Sequence, residues 1–182
     1  MIPAQRNLLI ITLLFSGYLI FPHAGHAQLP VFPPGKDGAE ALIRYILSAS
    51  PEARRDFSRT LYPSLSDCVV AFDTAFGTEV YHYERKIKRK YNPVVRPMLQ
   101  DQYTYLIWSA TTEELTDYTG EASFFPGGYH EIANHMAPGL SWYRFKFIEP
   151  GRKVGSAYDV LVYVNGHWCM IHRPWAVMFR GY

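Results

Sequence analysis

The chain has 182 residues, of which 48% are hydrophobic, 16% aromatic and 19% charged. A composition this apolar and aromatic excludes disordered and fibrous classes, and a net charge of +2 gives no general nucleic-acid footprint. Two cysteines are too few for a disulfide scaffold, and the length fits one domain with enough chain to bury most of its apolar surface.

The first 27 residues read as a secretory signal peptide. Arg6 precedes an uncharged apolar stretch from Leu8 to Phe21, followed by Pro22 and the small-residue exit Ala24-Gly25-His26-Ala27. Fourteen helical residues rise about 21 Å, short of the roughly 30 Å needed to cross the hydrocarbon core. Cleavage after Ala27 leaves 155 residues with a net charge of +1, since Arg6 is the only charge removed. The expectation is an exported, periplasmic or extracellular protein with no stable transmembrane segment after cleavage. In an oxidising compartment Cys68 and Cys169 become a disulfide candidate. Such a bridge would close about 101 residues and contribute about 4.7 kcal/mol on the chain-entropy account. Two buried thiols are the alternative, because sequence spacing does not place the two side chains together.

Residues 28–36 form a proline-rich, extended lead-in, and residues 37–182 a single domain. A helix starts near Asp37, with Ala41, Leu42, Tyr45 and Ile46 at helical spacing. Ser50-Pro51-Glu52 starts a second, with Ser50 as cap and Pro51 at the first position, running to about Leu61. A short apolar stretch from Ser66 to Phe76 follows, with Ser66 and Asp67 as capping residues. Thr78 to Tyr91 is the clearest amphipathic helix: Val80, Tyr83, Ile87 and Tyr91 make one stripe, and Arg85, Lys86, Lys88, Arg89 and Lys90 occupy the other faces. Pro93 stops it.

The period then changes from helix to strand. Gln102–Ser109 and Ser141–Ile148 are β-rich; in the second, Tyr143, Phe145 and Phe147 alternate with Trp142, Arg144 and Lys146. An irregular segment containing Phe124-Phe125-Pro126-Gly127-Gly128 and a short helix from Tyr129 to Met136 lie between them. Near the C-terminus, Asn165-Gly166 separates two β-prone runs and specifies a two-residue type I′ hairpin. That turn sets a register in which Val164, Val162 and Val160 oppose His167, Cys169 and Ile171. On the other face Tyr163, Leu161 and Asp159 oppose Trp168, Met170 and His172.

Helices first and an antiparallel sheet afterwards define an α+β class, with N-terminal helices packed on one face of a curved sheet that ends in a β-hairpin. The ending Tyr158-Asp159-Val160-Leu161-Val162-Tyr163-Val164-Asn165-Gly166-His167-Trp168, behind those helices, resembles the cone-shaped NTF2-like (SnoaL-like) superfamily over about residues 37–176. The resemblance implies a fold that serves both small-molecule enzymes and non-catalytic binding modules. The basic helix and the Phe-Pro-Gly-Gly segment depart from it.

Candidate chemistry centres on Asp159 and His172, which the hairpin register places side by side as a carboxylate and the imidazole it would orient. Tyr163, Trp168, Leu161 and Met170 on the same face would wall a small-ligand pocket. The alternative is a cross-strand ion pair. His130 and His135 are five apart and so sit roughly 140° around a helix, and His167 and His172 alternate across a strand, so neither pair is expected to bind metal. No cofactor motif is present: there is no phosphate-binding glycine loop, no Gly-x-Ser-x-Gly elbow and no CxxC. The basic run Arg85, Lys86, Lys88, Arg89 and Lys90 is the candidate surface for an acidic partner, or else a solvated helix face. The leading expectation is an exported binding or interaction module without catalysis. A small-molecule enzyme using acid–base chemistry at Asp159 and His172, and an inhibitor or immunity-type protein for an acidic partner, are the alternatives. A small apolar or aromatic ligand fits the first two.

Overall fold

A computed structural model describes residues 29–179; the expected leader, residues 1–27, lies outside that range. Four helices come first: α1 Lys36–Ser48, α2 Pro51–Thr60, α3 Leu65–Ala71 and α4 Thr74–Tyr91. Local chemistry starts each of the last three. Ser50 Oγ accepts from Ala53 N, Ser64 and Asp67 form a reciprocal capping box, and Asp73 accepts from Phe76 N. The true cap of α3 is Ser64, two residues before the expected Ser66, and α4 starts at Thr74 rather than Thr78. Arg54 of α2 closes the open end of α1 by donating to the carbonyls of Ile46 and Ala49 at 2.8 and 2.9 Å.

The remaining chain is an antiparallel meander, β1 Thr104–Thr111, β2 Ser141–Ile148, β3 Gly155–Val164 and β4 His167–Met170, in sheet order β1-β2-β3-β4. The segment between β1 and β2, expected to be irregular through Gly128 and then a short helix from Tyr129 to Met136, contains α5 Thr112–Asp117, a 3₁₀ turn at Gly120–Phe124, α6 Gly128–Ile132 and a 3₁₀ turn at Ala133–His135. Thr111 and Glu114 start α5 with a second capping box. Gly128 opens α6 because the Trp175 ring lies on it: a Cβ there would sit 2.3 Å from Trp175 Cγ. The hairpin turn is as expected. Asn165 and Gly166 both take positive φ, 49° and 81°, the signature of type I′.

The sheet is covered on both faces, where the sequence led us to expect helices on one. Trp142, Val162, Val164, Cys169 and Ala110 pack with α3, α4, α5, α6 and Trp175. Tyr143, Phe145, Phe147, Leu161, Trp168 and Met170 pack with α1 and α2. Alternation along β2 and β4 therefore delivers every second side chain to one of two apolar layers. Polar contacts fix both layers. Trp142 Nε1 donates to Thr112 Oγ1 at 3.0 Å, and Trp168 Nε1 donates to the carbonyls of Phe32 and Pro33, strapping the lead-in to the sheet.

Where α3 meets α4, the chain forms an isolated antiparallel bridge, Phe72 with Met136. Asp73 serves two elements there. It caps α4 and sits 2.6 Å from His135 Nδ1, while the His135 ring stacks on Phe76. The Phe76 amide and His135 hold the Asp73 carboxyl below its ordinary value of 3.8. Stability from a lowered carboxyl is present above that ordinary value and is lost as pH falls through the folded-state value. Asp73→Ala is therefore expected to cost about 1 kcal/mol in urea unfolding at neutral pH. The gap between variant and wild type should close as pH drops below 3.8; a gap that persists unchanged in acid would refute the ionic part.

Candidate functional site

The hairpin ladder contains four of the expected pairs: Val164–His167, Tyr163–Trp168, Val162–Cys169 and Leu161–Met170. It ends there. Beyond Met170 the chain leaves the sheet, Arg173 adopts a left-handed conformation at φ 47°, and Pro174 begins a 3₁₀ turn. Among the described residues, the first half of β3 thus pairs only with β2 and has no strand on its other edge.

On that β2 side a bulge changes the parity of β3. Tyr143 pairs with Leu161, but Phe145 pairs with Tyr158, so Asp159 and Val160 together oppose the single residue Arg144. Tyr158 consequently joins Leu161's face, stacking on Phe145 at 5.2 Å. Asp159 turns to the opposite face, where its Oδ1 lies 2.7 Å from Arg144 Nε. Arg144 also donates to the Phe124 carbonyl and lies over the Trp108 ring. The carboxylate expected to orient His172 is held by an arginine instead. The reason is one extra residue in the strand, which no local pattern announced.

The carboxylate that does orient His172 is Glu84. It lies on α4 with only 3% of its side chain exposed, accepts from the His172 backbone N–H, and places Oε2 3.0 Å from His172 Nδ1. Glu84 immediately precedes the basic run in the sequence and is not among the candidate site residues. The overlooked signal is its position: Glu84 follows Tyr83 and lies four residues after Val80, inside the apolar stripe. Once buried, a carboxylate needs donors, and the chain leaving β4 supplies two from one residue.

His172 faces a cleft of about 580 Å³ between α4 and the unpaired edge of β3. Tyr83, Ile87 and Tyr91 form the helix wall, Ala157, Tyr158 and Asp159 the strand wall, and Lys86, Lys90 and Arg173 stand at the rim. A second groove of about 570 Å³ shares Tyr91, Tyr158 and His172 and adds Arg54, Arg55 and Arg96. Cationic side chains therefore surround His172, and Asp159, the carboxylate in the lining, is neutralised by Arg144.

The other expected site residues are distributed differently. Leu161 and Trp168 are buried in the layer under α1 and α2, and Met170 bridges that layer and the cleft. Tyr163 packs edge-on against Trp168, and its hydroxyl donates to the Gly166 carbonyl. The basic run divides around α4. Lys86 and Lys90 belong to the cleft, whereas Arg85, Lys88 and Arg89 line a separate hollow with Tyr62 and Tyr81. Lys88 Nζ stands 4.6 Å above the Tyr62 ring. Cys68 and Cys169 are both buried free thiols. Burial pushes the Cys68 thiol up to about 12, with Glu84 and Asp67 adding to it, and pushes Cys169 up as well. Neither is poised as a nucleophile.

Comparison of the chain with protein-family models, with curated proteins and with solved structures gave no match.

The Glu84–His172 contact has a direct test. Glu84→Gln keeps the side-chain shape but loses the charged acceptor, and should lower the unfolding free energy by about 1.5–3 kcal/mol with the fold retained. Combined with His172→Ala in a double-mutant cycle, it should show a clear coupling energy. Strict additivity would mean the two groups act independently.

Proposed function

We propose that the cleft at His172 binds a small organic anion, its charged group at the Lys86, Lys90 and Arg173 rim and its apolar body against Tyr83, Tyr91 and Tyr158. The observation that carries this reading is the buried Glu84 carboxylate clamped to His172 inside a cationic cleft. A protein that only needed to satisfy Glu84 has no requirement for a roomy hollow beside its partner. The aromatic walls supply apolar area with little rotamer entropy to lose, and the lysines supply attraction that strengthens away from bulk water.

Binding rather than turnover is the leading role, in keeping with an exported interaction module. A second reading is supported by the imidazole itself. Glu84 engages Nδ1 and so leaves Nε2 as the ring nitrogen for a ligand, the arrangement of an oriented general acid or base. In that reading Glu84 takes the orienting role that the sequence assigned to Asp159. An acidic protein partner for the basic helix fits less well, because α4 presents its cations to two separate hollows rather than to one flat face. Kinship with NTF2-like proteins is supported by the order of helices before a meander and by the closing Asn165-Gly166 hairpin, and export by the leader-like residues 1–27.

Phenyl phosphate is a suitable probe, since it joins an anionic head to an aromatic body. Calorimetric titration should show one site per chain, weakened about tenfold by Lys86→Gln with Lys90→Gln and further by rising salt. The His172 ring resonances should shift on binding. Equal binding of phenol, or indifference to salt, would sink the anion assignment. If turnover of any ester or carbonyl substrate is found, it should fall far more in His172→Ala than in Lys86→Gln.

A further inference from the structure

A second cluster of chemistry-bearing side chains lies away from the His172 cleft, where the start of α3 meets the hairpin. Asp67, His167 and Cys169 bring one carboxylate oxygen, one imidazole nitrogen and one sulfur within 4.8 Å of one another. His167 Nε2 is 3.0 Å from Cys169 Sγ and 3.3 Å from Asp67 Oδ2. The hairpin register accounts for two of the three groups. His167 and Cys169 are alternate residues of β4, on the face that packs against α3.

The geometry distinguishes a relay from a ligand set. In a Cys–His–Asp relay the carboxylate holds one ring nitrogen and the thiol meets the other. Here the same nitrogen, Nε2, faces both groups. A single N–H cannot satisfy two acceptors fully, so three lone-pair donors converge on one small volume. Metal–ligand bonds of about 2.0–2.1 Å to nitrogen and oxygen and about 2.3 Å to sulfur place tetrahedral ligand atoms about 3.3–3.6 Å apart. The observed nitrogen–oxygen separation falls in that range, and the nitrogen–sulfur separation needs a shift of about half an ångström.

The surroundings match those of a ligand set. An ionised carboxylate offers about four acceptor positions. At Asp67, Ser64 N and Ser64 Oγ, both at 2.7 Å, and Asn165 Nδ2 at 2.8 Å take three of them. Both Ser64 bonds fall on Oδ2, the oxygen that faces His167, and the Asn165 bond falls on Oδ1. An ion bound at Oδ2 therefore takes the place of the Ser64 hydroxyl's bond, while Ser64 N and Asn165 hold the carboxylate, the outer hydrogen-bond support that metal ligands use. Asp67 is 2% and Cys169 0% exposed, whereas the His167 side chain is 48% exposed. The site therefore has two rigid buried donors and one donor at the surface through which an ion can enter.

We propose that Asp67, His167 and Cys169 bind a zinc-class divalent cation, with water as a fourth ligand on the exposed side. A mixed thiolate, imidazole and carboxylate set suits zinc better than magnesium or calcium, which favour oxygen alone. On binding, the Cys169 sulfur exchanges its proton, released to solvent, for the metal bond. The ion would tie α3 to β4 and stabilise the hairpin that leads to His172. Neither histidine pairing considered from sequence contains this set, because Asp67 lies a hundred residues before His167.

Cobalt(II) titration of the reduced full chain tests the site, since thiolate ligation gives a charge-transfer band in the near ultraviolet. One cobalt per chain, displaced by zinc, is expected. Cys169→Ser should lose the band. His167→Asn, at a half-exposed side chain, should weaken binding by about tenfold or more in a chain whose far-UV circular dichroism matches wild type. Cys68→Ser should keep both band and affinity. Absence of a thiolate band in the wild-type protein, or its survival unchanged in Cys169→Ser, would overturn the assignment. So would unaltered cobalt affinity in a folded His167→Asn chain.

Discussion

Trp142 and Phe145 project to opposite faces of β2, and both are fully buried. A sheet with large apolar side chains on both faces cannot leave either to water, because each such residue returned to solvent costs about 1.5–3 kcal/mol. The rest of the architecture follows from covering it twice. The N-terminal helices divide between the two layers, α1 and α2 on one and α3 and α4 on the other. The connection between β1 and β2 folds into short helices because it too must supply cover. Caps at Ser50, Ser64, Asp73 and Thr111 let those helices be short and start at defined residues.

Two irregularities in the sheet make the cleft. β4 stops after four residues, which exposes the edge of β3, and the bulge opposite Arg144 turns Asp159 away from the face it would otherwise share with Leu161. Had β4 continued in register, His172 would lie beside Asp159 and the hollow would be filled by strand. The chain instead leaves the sheet toward α4, and His172 meets Glu84 through both its backbone and its ring.

Buried acids carry the polar logic of the molecule. Glu84 and Asp67 are almost fully enclosed, and each is surrounded by donors from a distant part of the chain: His172 for the first, Asn165 and His167 for the second. Burial makes an unpaired carboxylate expensive, so each acid fixes the position of the segment that satisfies it. Both anchored segments belong to the C-terminal hairpin and its exit. The two sites therefore share one mechanical element, the β4 strand, although their side chains and chemistry differ.

Local patterns in the sequence determine much of this fold. The Asn165-Gly166 turn permits one tight connection and so sets four cross-strand pairs; Ser50-Pro51 and the Val80, Tyr83, Ile87 stripe define α2 and α4; the alternation of Tyr143, Phe145 and Phe147 defines β2. These are short-range constraints of backbone geometry and hydrophobic period, readable within a few residues. The tertiary structure alone decided what lies far apart in the chain. It buried Glu84 in a run of cations, gave Asp159 to Arg144 through a single bulged residue, covered the second face of the sheet, and brought Asp67 to His167 and Cys169. In each case the deciding term is the cost of leaving apolar surface or a charge unsatisfied in three dimensions, and residue order records that cost only indirectly. The arithmetic of an aromatic-rich chain with little net charge required a large core, and the fold shows it divided between two layers.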